Sequence, residues 1–253
     1  MKKVPWCGQS DLTVLIPMAG AGSRFTQAGF KLPKPLIDVA GLPMIQRIIE
    51  NLNIDAQYVF IVQKEHYQQY NLGGYLELMA PGCKVVQVDG LTAGAACTTL
   101  LAKEYINNDN HLLIANSDQI VLWDSCEFMY NMINANADGG ILTFMGDGTT
   151  KWSYVKTSEL GYVSEVAEKQ VISDEATVGI YYYKRGSEYV SSAEEMINRK
   201  ITFNSEYYVA PVYNIMIERG AKIKTFLCEK MWGIGTPSDL EFYLKYHLNE
   251  KNE

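Results

Sequence analysis

Apolar and polar positions along the chain alternate between two spacings, and the alternation repeats. Residues 12–16, with the apolar run Val14 to Ile16 closed by Pro17, have the pattern of a buried strand. Pro43 opens a segment in which Ile45, Ile48, Ile49 and Leu52 fall on one face at helical spacing. Residues 58–62 read as a buried strand, and 65–79 as a helix interrupted near Gly73-Gly74. Strand 84–88, helix 93–106, strand 112–115, helix 125–135 and strand 140–145 continue the series. Strands alternating with helices predict an α/β fold, a mostly parallel sheet with helices on both faces. Such sheets bind ligands beyond the carboxyl ends of their strands.

The pattern changes after about Asp147. Segments 153–157, 162–167 and 177–184 alternate at strand period, with a turn at Glu159-Leu160-Gly161. Helices at 187–198 and 211–219, a strand at 222–228 and a terminal helix beginning at Pro237 follow. No repeat or linker interrupts the chain. The expectation is one domain over 1–253, with halves of about 1–147 and 148–253, the second a smaller β-rich lobe sharing the sheet.

Composition narrows the function classes. The 253 residues are 47% apolar and 20% charged, ordinary for a globular protein. No apolar run approaches the roughly 18 residues of a membrane helix. Residues 1–11 carry two lysines but no apolar core, so no signal peptide and no membrane insertion are expected. Five scattered cysteines, Cys7, Cys83, Cys97, Cys126 and Cys228, read as reduced thiols of a cytoplasmic protein. The three isolated histidines argue against a histidine metal site. A net charge of −7 argues against a nucleic-acid partner. A free nucleotide needs only a local positive focus, and Lys2, Lys3, Arg24, Lys31 and Lys34 supply one against Asp11 alone.

The candidate chemistry begins where the first strand ends. Ala19-Gly20-Ala21-Gly22-Ser23 is a small-residue turn, followed by Arg24 and by Lys34 between two prolines. Glycines let backbone N–H groups approach an anion closely, and the two cations complete a site for a polyphosphate. The plainer alternative is a strand-to-loop turn with a solvated Arg and Lys. A Walker A loop is absent, and Phe25 stands where the dinucleotide fingerprint needs its third glycine. Asp118, in Asn116-Ser117-Asp118, follows strand 112–115. A carboxylate there is placed to hold Mg²⁺, or to cap a turn. Thr92-Ala93-Gly94-Ala95-Ala96 offers small residues for a flat base, or a helix start with Thr92 as cap.

Three segments in order, Ala19-Gly20-Ala21-Gly22-Ser23-Arg24-Phe25, Pro33-Lys34-Pro35-Leu36 and Gly41-Leu42-Pro43-Met44-Ile45, resemble the signature of the nucleoside-diphosphate-sugar pyrophosphorylases, the sugar-phosphate nucleotidyltransferases. The resemblance implies a Rossmann-like sheet of the GT-A type with an acceptor-binding second lobe. It implies a reaction joining a nucleoside triphosphate to a phosphorylated acceptor, a sugar 1-phosphate by default, for cell-surface polysaccharide synthesis. It also implies catalytic roles for Arg24 and Lys34, Mg²⁺ on Asp118, and nucleotide contacts from residues 19–23 and Gly94. Glu168 and Lys169 are implied to bind the acceptor, the lysine on its phosphate, with Gly179 beneath it. In isolation Glu168-Lys169 would read as a solvated pair.

Two departures stand out. Asp89 occupies the place of a base-reading Gln, and an ionised Asp only accepts hydrogen bonds, which favours the amino group of cytosine. In Trp232-Gly233-Ile234-Gly235-Thr236-Pro237, Gly233 replaces a second metal-binding Asp, leaving one carboxylate, or Glu229 or Asp239 as substitute. Glu206-Tyr207-Tyr208 reads as core packing, with Tyr208 a possible lining of the acceptor pocket. A cytidylyltransferase acting on a non-sugar phosphate, a nucleotide-sugar-dependent glycosyltransferase and a non-catalytic nucleotide sensor are the alternatives.

Overall fold

The structure, a computed structural model, describes the backbone of residues 4–5 and 11–250 and the side chains of residues 11–246. Lys2, Lys3 and Cys7 lie outside the described residues. A nine-stranded sheet organises the chain. Its strands are β1 (Leu12–Pro17), β2 (Gln57–Gln63), β3 (Lys84–Val88), β4 (His111–Ala115), β5 (Gly139–Met145), β6 (Ser153–Thr157), β7 (Val163–Glu168), β8 (Glu175–Tyr183) and β9 (Ile223–Leu227). The order β3-β2-β1-β4 is all parallel, with β8 antiparallel beside β4. β5 runs along the other flank of β8 and pairs in parallel with β9. The start of β8 meets β6, which forms an antiparallel pair with β7.

Period-two alternation sends successive side chains to opposite faces. On β1, Val14 and Ile16 join one core and Leu15 the other. On β2, Phe60 and Val62 oppose Val59 and Ile61 in the same way. Helices Met44–Leu52, Leu72–Met79 and Ser125–Asn134 cover the first face, together with Leu240 and Tyr243 of the terminal helix. Helices Ala95–Leu100, Gly186–Asn198 and Val212–Glu218 cover the second. The expected α/β architecture with helices on both faces is the one observed. Among the described residues, no helix is long and apolar enough to cross a membrane.

Four local expectations need correction. The 65–79 helix breaks at Tyr70-Asn71, between Lys64–Gln69 and Leu72–Met79, rather than at Gly73-Gly74. Asn71 takes the left-handed conformation, φ 48°, and starts the second helix. Gly73 lies inside that helix, and the Tyr67 ring packs where its Cβ would be. The 93–106 helix is two pieces, Ala95–Leu100 and Lys103–Ile106. Thr92 caps neither piece: Gly94 is the N-cap, and the Thr92 hydroxyl donates to Gly94 O at 3.0 Å. Finally, strands Gln119–Leu122 and Lys230–Gly233, unforeseen in the sequence, pair antiparallel with Gly233 opposite Gln119.

Candidate functional site

The carboxyl ends of β1 and β4 open onto a cavity of about 660 Å³. Its first wall is the glycine turn. The Met18 N–H donates to Ile61 O at 2.9 Å, anchoring the turn to β2, and the Gln63 side chain bonds both Ala19 O and Gly90 O. Gly22, at φ 61°, caps the short helix Ser23–Gln27 and packs on Lys34, whose Cβ would lie 3.2 Å from a Cβ at 22. Phe25 is wholly buried and makes an edge contact with Phe30; burying it contributes about 1.5–3 kcal/mol to holding the loop. That explains why this position cannot be a third glycine. Gly20, Ala21, Gly22, Ser23 and Arg24 line the cavity. Ala19 is buried behind it, tied through its carbonyl. Arg24 is exposed and, among the described residues, makes no ion pair.

Lys34 begins a 3₁₀ turn, Lys34–Leu36, shaped by its flanking prolines. Its Nζ lies 2.5 Å from Asp118 Oδ2, with both side chains about three-quarters covered. This contact joins positions 84 residues apart. Asp118 is thus a paired carboxylate facing the glycine turn and not a turn cap. The backbone around it is tightly set: Ile234 N–H donates to Asp118 O at 2.8 Å, and a Cβ on Gly235 would approach Asp118 Oδ2 to 2.5 Å.

The opposite wall comes from β6, β7 and β8. The β6–β7 register sets Ser153 opposite Glu168, and the Ser153 hydroxyl donates to the carboxylate. Glu168 is 9% exposed, and burial pushes its pKa up, against the opposing pull of Ser153 and Lys169. It is therefore no solvated pair with its neighbour. Lys169 sits at φ 52°, a left-handed conformation that costs a non-glycine residue about 1–2 kcal/mol. Its Nζ donates to Tyr208 OH at 2.8 Å, and that hydroxyl donates to Glu206 at 2.6 Å. Of the two adjacent tyrosines, Tyr207 packs on the core and Tyr208 lines the cavity. Gly179, at φ 95°, bulges out of β8 between the Asn116 and Gln119 side chains, where any Cβ would collide with both. Gln119 Oε1 is buried without a protein partner and lines the cavity, an acceptor open to a ligand N–H or O–H.

Besides Ala19, two further candidates from the sequence lie off the cavity wall. The Asp89 side chain is 80% exposed and pairs with Lys64 at 3.4 Å. Gly94, at φ 122°, lets the chain pass the Tyr207 backbone, which a Cβ would approach to 2.5 Å; its neighbour Ala95 reaches the cavity. Conversely, sequence reasoning missed Lys151, Trp152 and Gln119 as wall residues. Lys151 Nζ bonds Asp239 Oδ1 at 2.8 Å and lies over the Trp152 ring. A lysine in a polar loop carries no local signal of such a role.

For a divalent cation the donor set is sparse. No cluster of three or more His, Cys, Asp or Glu occurs among the described residues. Mg²⁺ is often held by one or two carboxylates with the remaining ligands from phosphates and water. Asp118, in one cavity with the glycine turn, fits that one-carboxylate mode. Gly233 also lines the cavity, where an added Cβ would meet only Trp152, at 3.4 Å.

The comparisons agree with this geometry. The family model described as nucleotidyl transferase matches residues 13–242. The bifunctional protein GlmU of Methanococcus vannielii is 32% identical over 122 residues, which is 47% of this chain and 27% of that protein. The chain spans between about a quarter and about half of the length of the curated relatives it matches. Among solved structures, the nucleoside-diphosphate-sugar pyrophosphorylase of Vibrio cholerae RC9 superposes with a TM-score of 0.77 at 23% identity, covering 92% of this chain and 99% of that one. A putative glucose-1-phosphate thymidylyltransferase of Bacillus anthracis gives 0.74 at 20% identity, covering 93% and 94%. A family match from the first sheet strand to the terminal helix, on a chain whose glycine turn, lysine and aspartate meet in one cavity, makes this protein a member of the nucleotidyl transferase family.

Proposed function

We propose that the protein joins a nucleoside triphosphate to a phosphorylated small-molecule acceptor, by default a sugar 1-phosphate, releasing pyrophosphate. The observation that carries this reading is the convergence of Lys34 and Asp118, 2.5 Å apart, with the Gly20–Arg24 turn on one wall of a cavity whose other wall holds Glu168 and Lys169. A phosphate oxygen of the acceptor attacks the α-phosphorus in line. The bond to the β-phosphate oxygen breaks, and pyrophosphate leaves with its electron pair. Little covalent work falls to the protein, so positioning and charge neutralisation dominate.

The turn's N–H groups and Arg24 hold the triphosphate, and Arg24 neutralises the departing pyrophosphate. Lys34 neutralises the α-phosphoryl group as it transfers. Asp118 would hold Mg²⁺, which when bound neutralises phosphate charge as a Lewis acid. Glu168, Lys169 and Gly179 form the acceptor's seat, with Lys169 on its phosphate. A cytoplasmic enzyme supplying activated units for cell-surface polysaccharide belongs to the same proposal.

The test is pyrophosphate release with each of CTP, UTP, dTTP, ATP and GTP, with Mg²⁺, against a panel of sugar and non-sugar phosphates. Release requiring one triphosphate and one acceptor together establishes the reaction and names both. Tight nucleotide binding with no release across the panel would turn the reading toward a nucleotide sensor.

A further inference from the structure

The cavity holds a fourth cation to which neither the sequence nor the proposed reaction gives a role. Contacts run around its rim from one ligand end to the other. Lys34 meets Asp118, and Asp118 packs on Gly235. The next residue, Thr236, donates to Asp239 Oδ2 at 2.7 Å, and Asp239 Oδ1 accepts from Lys151 at 2.8 Å. Lys151 lies 4.7 Å over the Trp152 ring. Beyond Trp152 come Ser153 and its partner Glu168, then Lys169 on Tyr208. Lys151 therefore lies on the path of contacts that joins the glycine-turn end of the cavity to the Glu168 end.

A clip that merely joined a loop to the terminal helix would have no need to face the cavity. Here both Lys151 and Asp239 line it, at 45% and 24% side-chain exposure. Asp239 is already held by the Thr236 hydroxyl and by its own N–H, which donates back to that hydroxyl at 3.2 Å. It therefore stays fixed when Lys151 leaves it. A lysine on a flexible stem, paired with a fixed carboxylate, can exchange that partner for a phosphate at small cost in geometry. We propose that Lys151 is a phosphate-binding residue of the acceptor subsite, parked on Asp239 until a phosphate monoester enters and takes its place. This rests on the transferase reading for the identity of the ligand, but not for its charge or its location.

The probe is inorganic phosphate, titrated calorimetrically into the full chain and into Lys151→Met, Lys151→Arg, Asp239→Asn and Arg24→Ala variants, with thermal unfolding recorded for each. Lys151→Met should weaken phosphate binding about tenfold or more, the worth of one charge-assisted hydrogen bond. Lys151→Arg should stay within about threefold of the parent. Asp239→Asn, which keeps the Thr236 contact but releases the lysine, should bind phosphate as tightly as the parent or more tightly. Equal losses in Lys151→Met and Asp239→Asn, matched by equal falls in Tm, would mean a structural clip and overturn the proposal. So would parent-like binding by Lys151→Met, absent binding by the parent protein, or loss confined to Arg24→Ala. The transferase reading fails separately: phosphate held through Lys151 with no pyrophosphate release keeps this site and removes that reaction. Release unchanged in Lys151→Met does the reverse.

Discussion

At the glycine-turn end of the cavity the wall is a turn of small residues beside one ion pair, Lys34–Asp118, and its exposed cation, Arg24, makes no ion pair among the described residues. At the Glu168 end the wall is side chain, and the groups are already committed to one another. Ser153 bonds Glu168, Lys169 bonds Tyr208, and Tyr208 bonds Glu206. Main-chain N–H groups recognise any polyphosphate, because that chemistry is shared by every triphosphate. A network of paired side chains must be reopened by its ligand, so it admits only a ligand that replaces what it breaks. Under the proposed reaction, the first end would take a class of ligand and the second a particular one.

The sharpest way to break this comparison is at the first end. Arg24→Ala and Lys34→Ala should each lower turnover by on the order of 10²-fold or more, while circular dichroism and Tm stay near the parent's. Near-parent activity in either purified variant would remove the mechanism. Gly179→Ala should damage the second end through the fold itself. The left-handed φ costs about 1–2 kcal/mol, and the new methyl collides with Asn116 and Gln119. A clear drop in Tm is expected, and a variant as stable as the parent would show that the bulge is soft.

Glu168→Gln sharpens the comparison through pH. Burial raises the Glu168 pKa in the folded protein, so its contribution favours folding below the ordinary carboxylate pKa and is lost as pH rises through the raised value. Gln keeps a Ser153 partner and carries no charge. The two proteins should therefore have similar Tm near pH 4, and the Gln variant should gain relative to the parent toward pH 7. An unchanged difference across that range would mean that Glu168 is not penalised by burial. The smallest effect is expected at Gly233→Asp. Its backbone is not left-handed, and Trp152 stands 3.4 Å from the new Cβ, so Tm should move by only a few degrees. If Asp118 alone holds the cation, the added carboxylate should tighten Mn²⁺ binding measured by electron paramagnetic resonance.

What could be read in advance follows the range of the interactions. The face formed by Ile45, Ile48, Ile49 and Leu52 is local, and all four are buried as their spacing requires. That Lys34 and Asp118 share one site follows from the ordered motif, whereas their ion pair at 2.5 Å has no signal in the sequence. By contrast, Lys151 and Asp239 are 88 residues apart, in a polar loop and a helix start, and nothing in either neighbourhood points to the other. The Gln119–Leu122 strand was missed for the same reason, since its partner lies more than a hundred residues later. At Gly73-Gly74 the local rule itself misled: glycine loosens a helix, but here it makes room for a tyrosine ring.

The antiparallel strand β8 bears a consequence for motion. One flank is bound to β5 along its length, while the other is shared between β4, which leads to Asp118, and β6, which leads to Glu168. Both ends of the cavity hang from that single strand, so they cannot swing apart on a hinge as two lobes joined by a linker do. The spacing of the two walls is set by the backbone pairing of β4 and β6 to β8, and any closing over the cavity must come from the loops and long side chains at the rim. Cutting the chain near residue 147 would leave β4 and β5 in one piece and β8 in the other, and neither piece could complete the sheet without the other.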